Sequence, residues 1–188
     1  VLDEAYRAGC EGRLNGHDVS FFPSSVASAA ELKPYLVGAE VVGYRRVLPF
    51  RFDPMLVEGE DQLRYIHRSG SGADWFDIDL LSRMGVLVAV NKGFNAPSVV
   101  EHAILLTLMC LRRTLAFVDA MREGRWIRDV PDPQPLMLNG KTVGIVGAGA
   151  VGGRVAEIMA VMGAEVLVYQ RDRTVDLPPG AAWADFDS

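Results

Sequence analysis

Short apolar runs, bounded by glycine, proline or polar residues, recur along the chain and alternate with stretches whose apolar positions follow helical spacing. The short runs are typical of strands buried in a sheet, whereas the longer periodic stretches indicate helices. Strands that alternate with helices favour parallel sheets covered on both faces. The pattern therefore predicts an α/β fold, with strands at residues 17–22, 39–44, 63–67, 85–90, 142–146 and 165–169.

Residues that start and stop helices refine this pattern. Pro34 breaks a predicted helix over residues 27–36, because proline removes a backbone donor. Asp53 and Pro54 have the order of a cap and a first helical residue. Further helices are predicted over residues 2–14, 78–84 and 151–162, the last of them stopped by Gly163.

The most extended apolar stretch predicts one long helix over residues 98–121. Ser98 and Glu101 have the spacing of a capping box, in which each side chain bonds a free N–H group near the other. The stretch is apolar nearly all round as far as Leu111. We therefore expect this helix to be buried between domains or between subunits.

The loop at residues 91–97, which contains Asn91, Gly93 and Pro97, is the predicted joint between two domains. A length of 188 residues is sufficient for two small domains. The predicted first domain spans residues 1–95. The second spans residues 96–188 and includes the long helix.

A glycine motif stands between the strand at 142–146 and the helix at 151–162. Gly147, Gly149 and Gly152 have the spacing G-x-G-x-x-G, in which the glycines permit a tight turn, close approach of a pyrophosphate and close helix packing. The N–H groups at the helix start, including those of Ala150 and Val151, attract phosphate. The motif predicts a dinucleotide site; the alternative is a glycine-rich turn between two packed elements.

The residues after the strand at 165–169 bear on the choice of dinucleotide. An acidic residue is expected here to bind the ribose 2′-hydroxyl group. The chain instead has Gln170, Arg171, Asp172 and Arg173, and a neutral residue followed by arginines suits a 2′-phosphate better. The sequence therefore favours NADP over NAD, although Asp172 could turn back onto the ribose, and a solvated charged loop is the other interpretation.

Charge and cysteine content restrict the class of protein. A net charge of −5 and a pI near 5.2 argue against nucleic acid or an anionic membrane as the main partner. Cys10 and Cys110 lack metal-binding or redox spacing, so we expect no metal site and a reduced, cytoplasmic protein. The most apolar run, residues 103–111, is too short to span a bilayer.

Several separate motifs, in order, resemble those of the D-isomer-specific 2-hydroxyacid dehydrogenases. The resemblance runs from about Leu63 to the C-terminus, whereas residues 1–62 match in pattern only. It implies a flavodoxin-like substrate domain followed by the first half of a Rossmann-type parallel, doubly wound sheet. It also implies a homodimer, and we expect the apolar helix at 98–121 to form its interface. The matching segments are residues 63–66, 69–79, 85–88, 95–102, 122–126 and 138–152.

The family resemblance implies hydride transfer between a nicotinamide cofactor and a small 2-oxo or 2-hydroxy acid. It places Ser71 and Gly72 where relatives hold the substrate carboxylate with backbone N–H groups. Asn95 matches an asparagine that formate-oxidising relatives place near the substrate, although a plain turn residue is an equal alternative. We expect His102 to be a hydrogen-bonded structural residue and not a catalytic one.

No residue of the chain matches the family's catalytic arginine, histidine and acidic residue, so no catalytic residue is assigned. The first residue is Val1 and the last is Ser188, and we expect a chain truncated at both ends relative to the family. Such a fragment is expected to show no measurable turnover. The alternative function is a non-catalytic nucleotide-binding or interaction module derived from the same family.

Overall fold

The computed structural model divides the chain into two units, Val1–Phe94 and Asn95–Ser188. The predicted helix over residues 2–14, apart from its last two residues, and the predicted cap Asp53 lie outside the described residues, as does Cys10. The structure describes residues 13–14, 16–22, 25–45, 48–52, 54–126, 128, 133–173 and 175–185.

A parallel three-stranded sheet forms the centre of the first unit, in the order β1-β2-β3. Its strands come from short apolar runs, and they are β1 (Val41–Tyr44), β2 (Tyr65–Arg68) and β3 (Leu87–Val90). The helices given for the described residues of this unit are α1 (Ala29–Leu32), which continues as a 3₁₀ turn (Lys33–Tyr35), α2 (Pro54–Val57) and α3 (Ile78–Arg83).

Residues 17–22 form no strand, so that prediction is wrong. Val19 and Phe21 are partly buried while Asp18 and Ser20 are exposed, as the alternating sequence requires. No strand in the described part of the chain pairs with them, however, and an alternating pattern alone does not fix a partner strand.

The core of the first unit contains aliphatic side chains from all three helices and from β2, together with an aromatic cluster. Tyr44 stacks on Phe52 with ring centroids 5.4 Å apart, and Phe76 meets both rings. This cluster lies at the carboxyl end of β1, so it packs beside the loops that leave the sheet there.

The second unit has its own parallel sheet, in the order β4-β5-β6. The strands are β4 (Thr142–Val146), β5 (Glu165–Tyr169) and β6 (Ala181–Trp183). Helix α6 (Gly152–Val161) connects β4 to β5 and buries Val155, Ala156 and Met159 in the core of this unit. The structure therefore has the strand, glycine turn, helix and strand that the sequence predicts.

The predicted single helix over 98–121 is in fact two helices, α4 (Ala96–Leu111) and α5 (Thr114–Arg122). Arg113 between them has a φ of 52°, a left-handed conformation that ends the first helix. Its guanidinium group donates a 2.6 Å hydrogen bond to the carbonyl of Pro133. Apolar periodicity continues across the break, and it does not reveal a single residue with reversed φ.

The predicted capping box is also wrong. Helix α4 begins at Ala96, so Ser98 lies inside the first turn and cannot cap it. Asn95 is the N-cap, and its side chain makes no capping hydrogen bond. Pro97 explains the earlier start, because proline is favoured in the first turn, where its missing N–H group costs nothing.

Candidate functional site

The glycine turn after β4 is shaped by two close backbone contacts. The N–H group of Gly147 donates a 2.8 Å hydrogen bond to the carbonyl of Tyr169 on the neighbouring strand, and Gly147 has a φ of +93°. A Cβ atom at Gly152 would lie 1.8 Å from the carbonyl oxygen of Gly147. Only glycine at position 152 therefore lets helix α6 begin directly against the turn.

Four consecutive N–H groups at this turn are available to a ligand. No hydrogen bond among the described residues uses the N–H groups of Gly149, Ala150, Val151 or Gly152. No side chain caps helix α6, since its N-cap is Val151. Gly149 has no atom within 4 Å of the position that a Cβ would take. An open row of donors at the positive end of a helix suits a phosphate group.

Gln170, directly after β5, reaches back across the turn. Its Oε1 atom accepts a 2.6 Å hydrogen bond from the N–H group of Ala148, and its Nε2 atom donates a 2.7 Å bond to the carbonyl of Asp172. The side chain thus fixes both the glycine turn and its own loop. The sequence alone did not indicate this contact, although parallel pairing of β4 with β5 places the two strand ends side by side.

The two arginines of this loop have different surroundings. Arg173 pairs with Asp185, donates to the carbonyl of Ala184 and lies over the ring of Trp183, with its Cζ atom 5.5 Å from the ring centroid. Arg171 is exposed and makes no hydrogen bond or ion pair within the part of the chain that the structure describes. Of the two arginines, Arg171 is therefore the one whose charge is available for a ligand.

A second group of unused donors lies in the first unit, in the loop that follows β2. The loop is tied to its neighbours by a 2.8 Å bond from Ser69 N–H to the carbonyl of Tyr44 and a 2.9 Å bond from Asn91 N–H to the carbonyl of Gly70. The N–H groups of Ser71 and Gly72 donate no hydrogen bond to any described residue. The loop lies at the carboxyl end of a parallel strand, where α/β proteins bind ligands.

Arg68, the last residue of β2, lies beneath this loop. It is 8% exposed, and its Nη1 atom donates a 2.6 Å hydrogen bond to the carbonyl of Gly72. Sequence reasoning missed Arg68; the available signal was a charged residue on the same strand face as the fully buried Ile66. Burial raises the pKa of the nearby Tyr44 phenol to about 12, and the Arg68 charge acts in the opposite direction.

The remaining candidate residues are exposed. Asn95 belongs to the second unit, whereas Ser71 and Gly72 belong to the first. The expectation that His102 is hydrogen bonded is wrong: it is exposed and has no hydrogen-bond partner among the described residues. Cys110 is a free, exposed thiol.

The described residues contain neither a cluster of metal ligands nor a helix that could span a membrane. The described side chains include no group of three or more histidine, cysteine or acidic residues that could hold a metal ion. Among the same residues, no helix is both long enough and apolar enough to cross a bilayer.

Comparison with known proteins places the glycine turn within a family domain. Residues 104–187 match the family described as D-isomer specific 2-hydroxyacid dehydrogenase, NAD binding domain. This range contains β4, the glycine turn, α6 and the loop after β5, and it begins within α4.

Two curated relatives are similar over most of this chain. Hydroxypyruvate reductase of Thermotoga maritima is 31% identical over 134 residues, which cover 71% of this chain and 42% of the relative. D-3-phosphoglycerate dehydrogenase of Archaeoglobus fulgidus is 31% identical over 142 residues, covering 73% of this chain and 26% of the relative. The chain therefore spans less than half the length of these proteins.

A solved structure supports the fold over the whole chain. D-lactate dehydrogenase from Aquifex aeolicus, in complex with NAD and lactic acid, has a TM-score of 0.83 and 24% sequence identity. The similarity covers 100% of this chain and 55% of that protein. The α/β architecture, with a Rossmann-type unit following another parallel sheet, is thereby confirmed.

Proposed function

We propose that this chain, whose residues 104–187 belong to the D-isomer specific 2-hydroxyacid dehydrogenase family, is part of a nicotinamide-dependent oxidoreductase. Its reaction is hydride transfer between the cofactor and a small 2-oxo or 2-hydroxy acid. The dinucleotide binds at Gly147, Gly149, Ala150, Val151 and Gly152, and its ribose lies near Gln170, Arg171 and Asp172. The substrate is bound by Ser71, Gly72 and Asn95.

One observation carries the cofactor assignment: four successive N–H groups at the start of α6 donate no hydrogen bond to any described residue, and Gly149 leaves open space beside them. Such a row of donors, with the helix dipole behind it, stabilises the charge of a pyrophosphate. Calorimetric titration of the chain with NAD, NADP and AMP tests the assignment. Binding of either dinucleotide supports it, and absence of binding by both refutes it.

NADP is the preferred cofactor in this proposal. Gln170 is neutral and its amide is already engaged with Ala148 and Asp172, so it offers no carboxylate to a ribose 2′-hydroxyl group. Arg171 supplies a positive charge beside the same strand end. Tighter binding of NADP than of NAD is expected, with a steep loss of that preference in an Arg171→Ala variant; tighter binding of NAD would overturn it.

The substrate assignment rests on the loop after β2, where the N–H groups of Ser71 and Gly72 remain available. Charge-assisted hydrogen bonds from such groups suit a carboxylate. Asn95 adds a side-chain amide that makes no capping bond. Asn95→Ala should weaken binding of a 2-oxo acid to the chain; an unchanged dissociation constant would exclude Asn95 from the site.

We also assign the protein to the cytoplasm as a homodimer that forms through residues 98–121. Exposed leucines on α4 and α5 support the dimer. The free thiol of Cys110 fits a reducing compartment, and cell fractionation with detection of the chain tests this location.

A non-catalytic nucleotide-binding or interaction module is the second candidate function. It is favoured by one observation, namely the exposed leucines on α4 and α5, which offer an apolar surface to a partner. An assay of glyoxylate, hydroxypyruvate and pyruvate reduction separates the two functions. Turnover by the purified chain would eliminate the module, whereas dinucleotide binding without turnover would favour it.

A further inference from the structure

The loop at residues 69–74 is built closely around the guanidinium group of Arg68. A Cβ atom at Gly70 would lie 3.3 Å from Arg68 Cζ, and one at Gly72 would lie 3.3 Å from Arg68 Nη1. Both distances are tighter than ordinary van der Waals contact. Glycines at 70 and 72 therefore let the backbone pass directly over a side chain that is 92% buried.

The positive charge of Arg68 has no ionic partner in the described ranges. No carboxylate of the described residues lies within 4.0 Å of its guanidinium nitrogens, and its hydrogen bond goes to a neutral carbonyl. The nearby Tyr44 phenol is neutral at pH 7 and supplies no negative charge. The carboxylate of Asp74 lies near the guanidinium group without forming an ion pair, since a Cβ atom at Gly72 would be 3.3 Å from Arg68 Nη1 and 3.5 Å from Asp74 Oδ2. A desolvated cation of this kind is costly unless it serves a ligand or a structural purpose.

Two hydrogen bonds fix the directions of two peptide groups in this loop. The carbonyl of Gly70 accepts from Asn91 N–H at 2.9 Å, and the carbonyl of Gly72 accepts from Arg68 Nη1 at 2.6 Å. In a trans peptide the carbonyl and the following N–H group point in opposite directions. The N–H groups of Ser71 and Ala73 are thus directed away from Asn91 and from Arg68, respectively.

We propose that Arg68 is a positioning residue that locks the Gly72–Ala73 peptide, so that Ala73 N–H joins the N–H groups of Ser71 and Gly72 as a third donor to a carboxylate ligand. Ala73 N–H makes no hydrogen bond to any residue that the structure describes, as expected for a donor kept for a ligand. The positive charge of Arg68 adds to the attraction. This inference rests on the proposed role of the loop as the substrate carboxylate site.

Titration of the ¹⁵N-labelled chain with oxalate, which resembles a 2-oxo acid, tests the inference by amide chemical shifts. We expect the amide signals of Ser71, Gly72 and Ala73 to respond together. In Arg68→Met, loss of a charged hydrogen bond should weaken oxalate binding by about tenfold. The Ala73 response should be lost preferentially, because Asn91 still holds the peptide before Ser71.

Arg64→Met is the matched control, since it removes the same charge from an exposed arginine just before β2. It should leave oxalate binding unchanged, and Arg68→Lys should recover part of the affinity. If Arg68→Met fails to fold, Gly70→Ala replaces it, because the added methyl group presses on the guanidinium and should weaken binding by about threefold. Unchanged oxalate affinity in the folded variant, or no Ala73 response in the unsubstituted chain, overturns the inference.

Titration with NADP and with NAD on the same samples separates this inference from the proposed function. A chain that binds oxalate as described but neither dinucleotide refutes the oxidoreductase assignment and leaves the role of Arg68 standing. A chain that binds a dinucleotide but shows no Ala73 response to oxalate refutes the role of Arg68 only.

Discussion

The three glycines of the turn after β4 are needed for different reasons. Gly152 is required by the backbone, since any side chain would overlap the carbonyl of Gly147. Gly147 is required by its left-handed φ of +93°. Gly149 has neither constraint: its φ is not in that region, and nothing lies near the position of a Cβ. In the proposed function, a side chain at position 149 would conflict only with the bound pyrophosphate.

Replacement of Gly149 by alanine, which adds one methyl group, tests whether this position contributes to ligand binding and not to folding. Gly149→Ala should weaken dinucleotide binding by about tenfold or more, because the methyl group occupies space that the pyrophosphate needs. The melting temperature without ligand should stay the same. Calorimetry and thermal unfolding measure the two effects.

Gly144→Ala is the control, since Gly144 on β4 also has open space at its Cβ position. It should change neither dinucleotide affinity nor the melting temperature by more than a small amount. Equal affinities of the Gly149 and Gly144 variants would contradict the assignment of the phosphate site.

Tyr44 makes the free energy of unfolding depend on pH. Burial raises its pKa from 10.0 to about 12, so the folded state favours the protonated phenol. This stabilisation is complete below pH 10 and is lost as the pH rises to 12, at a cost of about 2 kcal/mol. Urea denaturation gives the free energy of unfolding at each pH. Between pH 9 and pH 11.5, this free energy should fall less in Tyr44→Phe than in the unsubstituted chain. Parallel losses in both proteins would contradict the effect.

At the scale of elements, the break between α4 and α5 depends on one residue with reversed φ. A left-handed conformation costs a residue with a Cβ atom about 1 kcal/mol, whereas glycine adopts it freely. Arg113 has this conformation, and Arg112 beside it has an ordinary helical one. The two positions should therefore respond in opposite ways to the same substitutions.

The difference in stability between a glycine and an alanine variant of one position measures this backbone strain. Both variants lack the guanidinium group, so its loss does not affect the comparison. Arg113→Gly should be more stable than Arg113→Ala by about 1 kcal/mol, because only glycine relieves the left-handed strain. At position 112, alanine should be the more stable of the pair. Chemical denaturation of the four variants gives the comparison, and a higher stability of Arg113→Ala would place the residue in an ordinary helical conformation.

Elements whose residues are continuous and apolar could be predicted from the sequence. The strands at 142–146 and 165–169 have the predicted bounds, because each begins with one polar residue, continues with apolar residues or glycine and ends at a turn. The strand β6 was not predicted, since Ala181–Trp183 is only three residues long and contains two alanines. The contact of Gln170 with Ala148 could not be predicted either, because it depends on which strands lie side by side. The contact of Arg68 with the Gly72 carbonyl depends on how the loop after β2 turns back over the strand end.

At the scale of the whole molecule, exposed apolar side chains on α4 and α5 suggest an assembly. Leu105 is 50% exposed and Leu115 is 66% exposed. Both lie on helices within the segment that the apolar pattern predicts to be buried. Isolated exposed leucines are ordinary, but several on adjacent helices indicate an interaction surface. These residues give the proposed homodimer a specific location.

Substitution of both leucines tests the homodimer. Leu105→Gln combined with Leu115→Gln should convert a dimer into a monomer, because each buried leucine contributes about 2 kcal/mol to an apolar interface. Analytical ultracentrifugation measures the mass. Val161→Gln is the control, since Val161 is 83% exposed on α6, outside residues 98–121. A dimer that survives the double substitution would place the interface elsewhere.

The contacts of Arg173 have a consequence for protein engineering. Its contacts with Trp183, Ala184 and Asp185 join the loop after β5 to the end of β6. An attempt to switch coenzyme preference by exchanging the whole segment 170–173 would therefore also loosen the last strand of the sheet. Variation of Arg171 and Asp172 alone, with Arg173 kept, would test the proposed coenzyme selectivity without that loss of rigidity.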